Sequence, residues 1–274
     1  VTYIACGKVN YQIVGMSSVE YPDLPSFEQT DRITLNAKIL RDMIRQTVYA
    51  VSENTAKPIY TGSLYEIEDG VFKIIAIDGY RMAIRSENVD SESKNRFVVP
   101  GKTQHEVLKL LTDDEENTEI IIGQRHITFK IKNYRIISRL IEGTFIEYKS
   151  AIPKETKTEV VINTRTIIDA VERMSLLNND RIQSPVRCIF SDDEIKLSCT
   201  SAVGRANDVI SVPIIGESVE IGFNNRYLLD ALKNADTDEI KLILNGSLTA
   251  MIVKPVKGDS YLSIVVPMRL ANES

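Results

Sequence analysis

The feature that most limits how this chain can fold is an internal repeat. Asn36 and Asn163 each follow a short apolar strand pattern and open an amphipathic helix pattern, and they lie 127 positions apart. Other marks return around them in the same order. Asn10-Tyr11 recurs as Asn133-Tyr134, the aromatic-then-acidic turn Tyr21-Pro22-Asp23 recurs as Phe145-Ile146-Glu147, and Arg139-Leu140 recurs as Arg269-Leu270. Their separations are 123, 124 and 130. A unit that returns at a near-constant period is one structural module used more than once.

Each copy divides into two similar halves, and each half reads as a strand, a helix and three strands. After the Asn36 cap, Leu40, Met43, Ile44, Thr47, Val48 and Val51 keep the helical period, which predicts a helix from Ala37 to about Ser52. Strands are expected at 62–67, 71–77, 81–86 and 97–99, a second helix at 103–111, and strands at 119–122, 126–131 and 134–140. The second copy gives a strand at 160–162, a helix at 164–177 and strands at 186–190, 194–199, 204–212 and 219–223. A helix at 225–234 and strands at 239–244, 248–254 and 260–266 complete it. Residues 1–18 read as two strands that match only the end of a module; roughly 95 residues would complete it. The expected organisation is an α+β chain of three units: 1–28 as the end of a first, 29–152 as a middle one and 153–274 as a last one.

The 274 residues are 43% hydrophobic, enough for more than one core. A net charge of −5 argues against nucleic-acid binding over the whole surface but leaves room for a local basic face. Three cysteines, an odd and sparse count, fit a reducing compartment without a disulfide framework. No apolar run approaches the ~20 residues of a membrane span. A cytoplasmic protein with no membrane partner is expected.

Catalysis needs a positioned nucleophile, an acid–base pair or a metal cluster. His105 and His126 stand in no metal-ligand spacing, the cysteines form no CxxC, and no phosphate-binding glycine loop occurs. The acidic run Asp113-Asp114-Glu115-Glu116 reads as a solvated turn. No cofactor, no metal and no enzymatic activity are expected. Two other readings stay open on the residues alone: a metal-dependent DNA-acting enzyme, which needs convergent carboxylates, and an adaptor unrelated to DNA.

Every helix carries bases on a solvated face. Lys38, Arg41 and Arg45 are spaced three and four apart on the first; Lys102 and Lys109, Arg165 and Arg173, and Arg226 and Lys233 follow on the others. Repetition on four helices in an acidic chain points to a segregated basic surface, attractive to phosphates without base readout. Asp42, Asp169 and Glu172 dilute it. The end of the chain, Tyr261 to Leu270, is apolar where termini are usually polar, and breaks at Pro267. On the residues alone Met82, Val265 and Val266 read as core.

Several stretches carry a family resemblance across all 274 residues. Ala76-Ile77-Asp78-Gly79-Tyr80-Arg81-Met82-Ala83 resembles the Asp-Gly-His-Arg-Leu-Ala turn of bacterial sliding clamps, the beta subunits of DNA polymerase III. Ile221-Gly222-Phe223-Asn224 with Tyr227-Leu228-Leu229-Asp230 is similar to their last helix and its preceding strand, and Val266-Pro267-Met268-Arg269-Leu270 to their C-terminus. The resemblance implies the DNA clamp fold, with three alike domains per subunit, helices inside and antiparallel sheets outside. It implies a homodimeric ring that encircles duplex DNA without sequence preference as a non-catalytic processivity factor. Its implied partners are the polymerase III alpha subunit, the clamp loader and other proteins with clamp-binding motifs.

The resemblance also implies a peptide-binding groove between the middle and last domains. Carried onto matching positions, its residues are Tyr60, Ile77, Gly79, Tyr80, Arg81, Met82, Ile146, Ala151, Asn224, Tyr227, Ile264, Val265, Val266, Pro267, Met268, Arg269 and Leu270. Arg81 and Arg269 are expected at its rim. Lys57, in the loop 54–58, carries over as a DNA contact. Leu176 and Leu177 match one edge of the dimer interface and Tyr11 the other; a core role for either leucine stays equally open. A chain without most of the first domain is expected to be mainly monomeric. Tyr80 stands where the family commonly has His, Ile77 where Thr is common, Ile146 where Pro is common, and Ser150 where Arg is usual. A greasier groove with a less basic rim is expected. The Ala271–Ser274 extension past the usual end is expected to be disordered or to lie near the groove.

Overall fold

A computed structural model describes residues 1–22, 29–112, 114–178 and 184–270. Asp23 of the first aromatic–acidic turn, Asp113 of the acidic run and the 271–274 extension lie outside them. The chain opens with an antiparallel hairpin of β1 (Thr2–Cys6) and β2 (Val9–Ile13), with every residue exposed.

The middle unit follows in two halves. The first is β3 (Gln29–Asn36), α1 (Ala37–Val48), β4 (Gly62–Glu68), β5 (Val71–Ile77) and β6 (Arg81–Asn88). The second is β7 (Asn95–Pro100), α2 (Gly101–Leu110), β8 (Asn117–Gly123), β9 (His126–Ile131) and β10 (Tyr134–Arg139). The last unit repeats this order. It has β11 (Thr158–Asn163), α3 (Thr164–Ser175), β12 (Val186–Ser191), β13 (Glu194–Ser201), β14 (Gly204–Ser211) and a short β15 (Ile214–Gly216). Then come β16 (Val219–Phe223), α4 (Asn225–Lys233), β17 (Glu239–Leu244), β18 (Met251–Pro255) and β19 (Tyr261–Val265).

The strand before each helix crosses to the other half of its unit. β3 pairs with β8 and β7 with β4; likewise β11 pairs with β17 and β16 with β12. The halves therefore interlock, and each helix pair packs over the strands of both. β6 also pairs with β19, setting Ile264 opposite Met82 and Val265 opposite Arg81. One sheet, in the order β15-β11-β17-β18-β19-β6-β5-β4-β7, thus runs through both units.

Asparagine caps set three of the helix starts. Asn36 Oδ1 accepts from the Lys38 and Ile39 amides at 2.9 and 3.4 Å, Asn163 from Thr166 at 3.1 Å, and Asn224 from Arg226 and Tyr227 at 3.0 and 3.3 Å. Each such cap contributes ~1 kcal/mol. The apolar stripe of α1 buries Leu40, Met43 and Ile44 against Tyr65, Phe72 and Phe129, and α3 does the same with Ile167, Val171 and Met174. A third apolar cluster (Met82, Phe145, Tyr148, Ile252 and Ile264) sits where the units meet.

The structure departs from the sequence reading at several places, the added strand β15 among them. α1 ends at Val48 because its last turn tightens: the Ala50 amide bonds to Thr47 O at 2.9 Å, and the Ser52 amide leaves for Tyr60 O at 2.8 Å. β18 starts at Met251, since Leu248 lies exposed in the preceding turn. The register of the repeat also changes. Ile141 bridges to Val98 and Met268 bridges to Gly222, which makes Ile141 and Met268 equivalent. They lie 127 positions apart, the spacing of the Asn36 and Asn163 caps. Arg139-Leu140 therefore corresponds to Val266-Pro267, and its likeness to Arg269-Leu270 is a coincidence of sequence.

One core residue carries a testable cost. Tyr65 is fully buried between Phe72 and Phe97, with ring centroids 5.4 and 5.8 Å away, and its hydroxyl meets no hydrogen-bond partner among the described residues. Tyr65→Phe removes an unpaired polar group and keeps the ring. It should raise stability by about 1 kcal/mol in urea unfolding; a loss of stability would reveal a bonded hydroxyl.

Candidate partner groove and DNA face

The groove region is built on the β5–β6 turn. Gly79 takes a φ of +93°, the positive value a tight hairpin turn needs at its first central residue. Asp78 Oδ1 accepts from the Tyr80 and Arg81 amides at 2.9 and 3.0 Å, which locks the turn from within. Tyr80 is 60% exposed, and its ring stacks on Tyr227 with centroids 5.8 Å apart and an interplanar angle of 19°. Tyr80 O accepts from the Val266 amide at 2.8 Å, so the turn is tied directly to the chain's end.

Arg81 does not stand at the rim. It is only 6% exposed, pairs with Asp78 at 2.9 Å and with Asp230 of α4, and lies over the rings of Tyr227 and Tyr49 at 4.5 and 5.5 Å. Burial works against its charge. The attraction of Asp78 and the Asp230 hydrogen bond outweigh that and hold its pKa above the ordinary arginine value. Arg81 therefore fastens the two units beneath the β5–β6 turn. Tyr49 adds hydrogen bonds of 2.9 Å to Tyr261 and Ser263, and Gln46 reaches Asn234 O at 2.9 Å. The sequence reading missed Tyr49, Gln46 and the role of Asp230. Nothing local marks them, because their partners lie 188 and more positions away or across the unit junction.

The other groove residues separate into floor and surface. Met82, Ile264 and Val265 are buried, with Tyr60 and Ile77 half-buried against the junction cluster. Tyr60 meets Phe145 edge-on at 5.8 Å. Val266 is 40% exposed and Ile146 43%, and Ala151 and Arg269 are also exposed. Pro267, Met268 and Leu270 are half-buried. Asn224 acts as the α4 cap. Met268 is held by its amide on Gly222 O at 2.8 Å. A cleft of about 550 Å³ opens between the loop 51–57, the Asp78–Arg81 turn and Tyr227. A second, of about 750 Å³, lies along β16, Leu248 and Met268–Leu270.

The basic residues come with carboxylates. Lys38 pairs with Asp42 at 2.9 Å, Arg41 with Asp114 at 2.6 Å, and Arg45 with Asp236 at 2.5 Å. Lys109 pairs with Glu106 at 2.8 Å, Arg165 with Asp169 at 2.8 Å, Lys233 with Glu172 at 2.6 Å and Arg226 with Glu53 at 3.2 Å. Hydrogen bonding to Asp42 raises the Lys38 pKa, and hydrogen bonding from Lys233 lowers that of Glu172. Arg173 bonds to Asp208 on the β14 edge at 2.8 Å. Lys57 lies 6.0 Å from the Tyr60 ring centroid, beside the groove, and Lys102 is exposed on α2. The pairing makes the surface mixed rather than uniformly positive. Of the edge residues, Leu176 is 83% exposed and Tyr11 is exposed, whereas Leu177 packs on the last unit's core.

Among the described residues no group of three or more His, Cys, Asp or Glu could hold a metal ion, and no helix is long and apolar enough to cross a membrane. The family models for the DNA polymerase III beta subunit match twice, the central domain over residues 34–147 and the C-terminal domain over residues 149–269. The beta sliding clamp of Bacillus subtilis is 32% identical over 98% of this chain and 72% of its own length. The crystal structure of the DNA polymerase sliding clamp from that organism superposes with a TM-score of 0.94 at 31% identity, covering 98% of this chain and 72% of that one. A Pseudomonas aeruginosa sliding clamp solved bound to griselimycin gives 0.92 at 25% identity, over 98% and 73%. Two family models in tandem over one clamp fold leave a single assignment: this chain belongs to the DNA polymerase III beta subunit family, the beta sliding clamps.

Proposed function

We propose that two surfaces carry the clamp's work in this chain: the helix faces toward duplex DNA and the Tyr80–Leu270 region toward partner peptides. The family's members are non-catalytic processivity factors in DNA replication, and this chain has the clamp fold of that family. We take its units as 1–28, 29–152 and 153–274, and its compartment as the bacterial cytoplasm. In a ring of two full-length subunits, Lys38, Arg41, Arg45, Lys102, Lys109, Arg165, Arg173, Arg226 and Lys233 would face the duplex, with Lys57 at its mouth. Leu176 and Tyr11, both exposed and apolar, suit the edges that close the ring. The carboxylates beside most of these cations keep each contact weak and salt-sensitive, as a ring that slides requires.

The observation that carries the groove reading is the bond between Val266 and Tyr80. It ties an apolar chain end to a hairpin turn of the other unit, above a floor of Met82 and Ile264. An apolar trough with an exposed Arg269 suits a short peptide with Leu or Phe anchors and a polar or acidic flank, such as the polymerase alpha subunit or clamp loader would present. Calorimetric titration with a short synthetic peptide containing Gln, Leu and Phe tests it. Met268→Ala and Arg269→Ala should each weaken binding about tenfold, the equivalent of ~1.4 kcal/mol. Unchanged affinity in both would sink the groove assignment.

A further inference from the structure

We propose that Tyr80 is a specificity-determining platform, which selects partner peptides carrying an aromatic side chain over those with an aliphatic one at the same position. The inference rests on the groove reading and goes beyond it, naming the chemistry one position of the partner must have.

Tyr80 is exposed yet held. Its amide is fixed by Asp78, its carbonyl by the Val266 amide, and its ring by Tyr227. Tyr227 is itself anchored at the first turn of α4 and under the Arg81 guanidinium. A ring on a mobile turn would lose conformational freedom when a partner covered it. This one has lost that freedom in advance, so a stacking partner gains more of the contact energy.

The exposed π surface distinguishes ligands by electronic character as well as size. An aromatic side chain offers an edge or an offset face to it, a gain beyond area burial that an aliphatic chain of equal volume lacks. A cationic side chain would also favour a ring face. The cleft's own charges nearly balance, with Arg226 paired to Glu53 and Arg81 to Asp78 beside Lys57, so they do not draw a cation there in preference to a neutral ring. The neighbouring Val266 is aliphatic and offers burial alone; Tyr60 and Tyr227 also line the cleft but are half-buried, so Tyr80 presents its most open aromatic face.

The test uses pairs of synthetic peptides that differ only by phenylalanine or cyclohexylalanine at one apolar position, scanned through the Gln/Leu/Phe-containing sequence. Cyclohexylalanine has no π face and is somewhat bulkier and more apolar, so burial alone would favour it over phenylalanine. At one position the phenylalanine peptide should bind the parent protein roughly three- to tenfold tighter. Tyr80→Phe should keep that ratio. Tyr80→Leu should bring it to one or below, with both peptides still bound. A ratio that survives in Tyr80→Leu, or the lack of any preference in the parent, overturns the platform while leaving the groove intact. Failure of every peptide to bind the parent overturns the groove reading and this inference with it. Tyr80 lies exposed on a turn, so both variants should fold, and a thermal melt checks that directly.

Discussion

Arg81→Met is expected to destabilise the protein by about 3–5 kcal/mol, the range for removing one partner from a buried ion pair. Arg81 is buried between Asp78 and Asp230, and its loss leaves Asp78, itself nearly buried, facing Asp230 without a cation. Methionine fills much of the volume, so the cost is electrostatic more than a cavity. Asp230→Asn should cost less, about 1–2 kcal/mol, because Asp230 is a third exposed and water compensates part of the loss. The double variant should recover part of the Arg81→Met deficit, since the two sites share one network and cannot add independently. Urea unfolding of the four proteins measures this. A deficit below 1 kcal/mol for Arg81→Met would reduce the network to the value of a surface pair. Because Arg81 and Asp230 lie in different units, the loss should appear first as loosening of the junction, read by amide exchange at β6 and β19.

The same residue marks the limit of what the chain discloses on its own. Helices and strands were legible because burial imposes a period: Leu40, Met43 and Ile44 form one stripe, and the Asn36 and Asn163 caps recur at the module length. The apolar end at 261–266 was legible as a strand for the same reason. Periodicity could not reveal that the strand before each helix crosses to the other half, since pairing partners are set by tertiary packing rather than by local pattern. Nor could it tell that Arg81 turns inward while Arg269 stays out. An arginine reads as a surface residue until its two carboxylates, one of them 149 positions away, are placed beside it. The basic helix faces were visible, but most of the acids that pair with them were not. Asp236 and Glu53 reach their partners only across the junction. The shift in the repeat has a similar origin. Arg139-Leu140 and Arg269-Leu270 match as letters, whereas backbone bridges to Val98 and Gly222 fix the true correspondence.

Gly222→Ala is expected to weaken peptide binding about tenfold or more with little loss of stability. A Cβ at Gly222 would lie 2.6 Å from Leu270 Cδ2, 3.0 Å from its Cγ and 3.1 Å from Met268 O. Leu270 can swing aside, but the Met268 carbonyl belongs to the backbone that bridges to β16, so the segment must move outward. β16 keeps its ladder with β12, and Leu270 is only half-buried, so the fold loses little. The groove loses its wall at Met268 and Arg269. Gly15→Ala, where a Cβ meets nothing within 4 Å, serves as the control and should leave affinity unchanged. If Gly222→Ala acts by displacing Met268, then combining it with Met268→Ala should cost no more than the larger single loss, because both remove the same contact. Fully additive losses would mean that Gly222 acts elsewhere. Parent-like affinity in Gly222→Ala would mean that the chain end yields without cost and is no wall of the site.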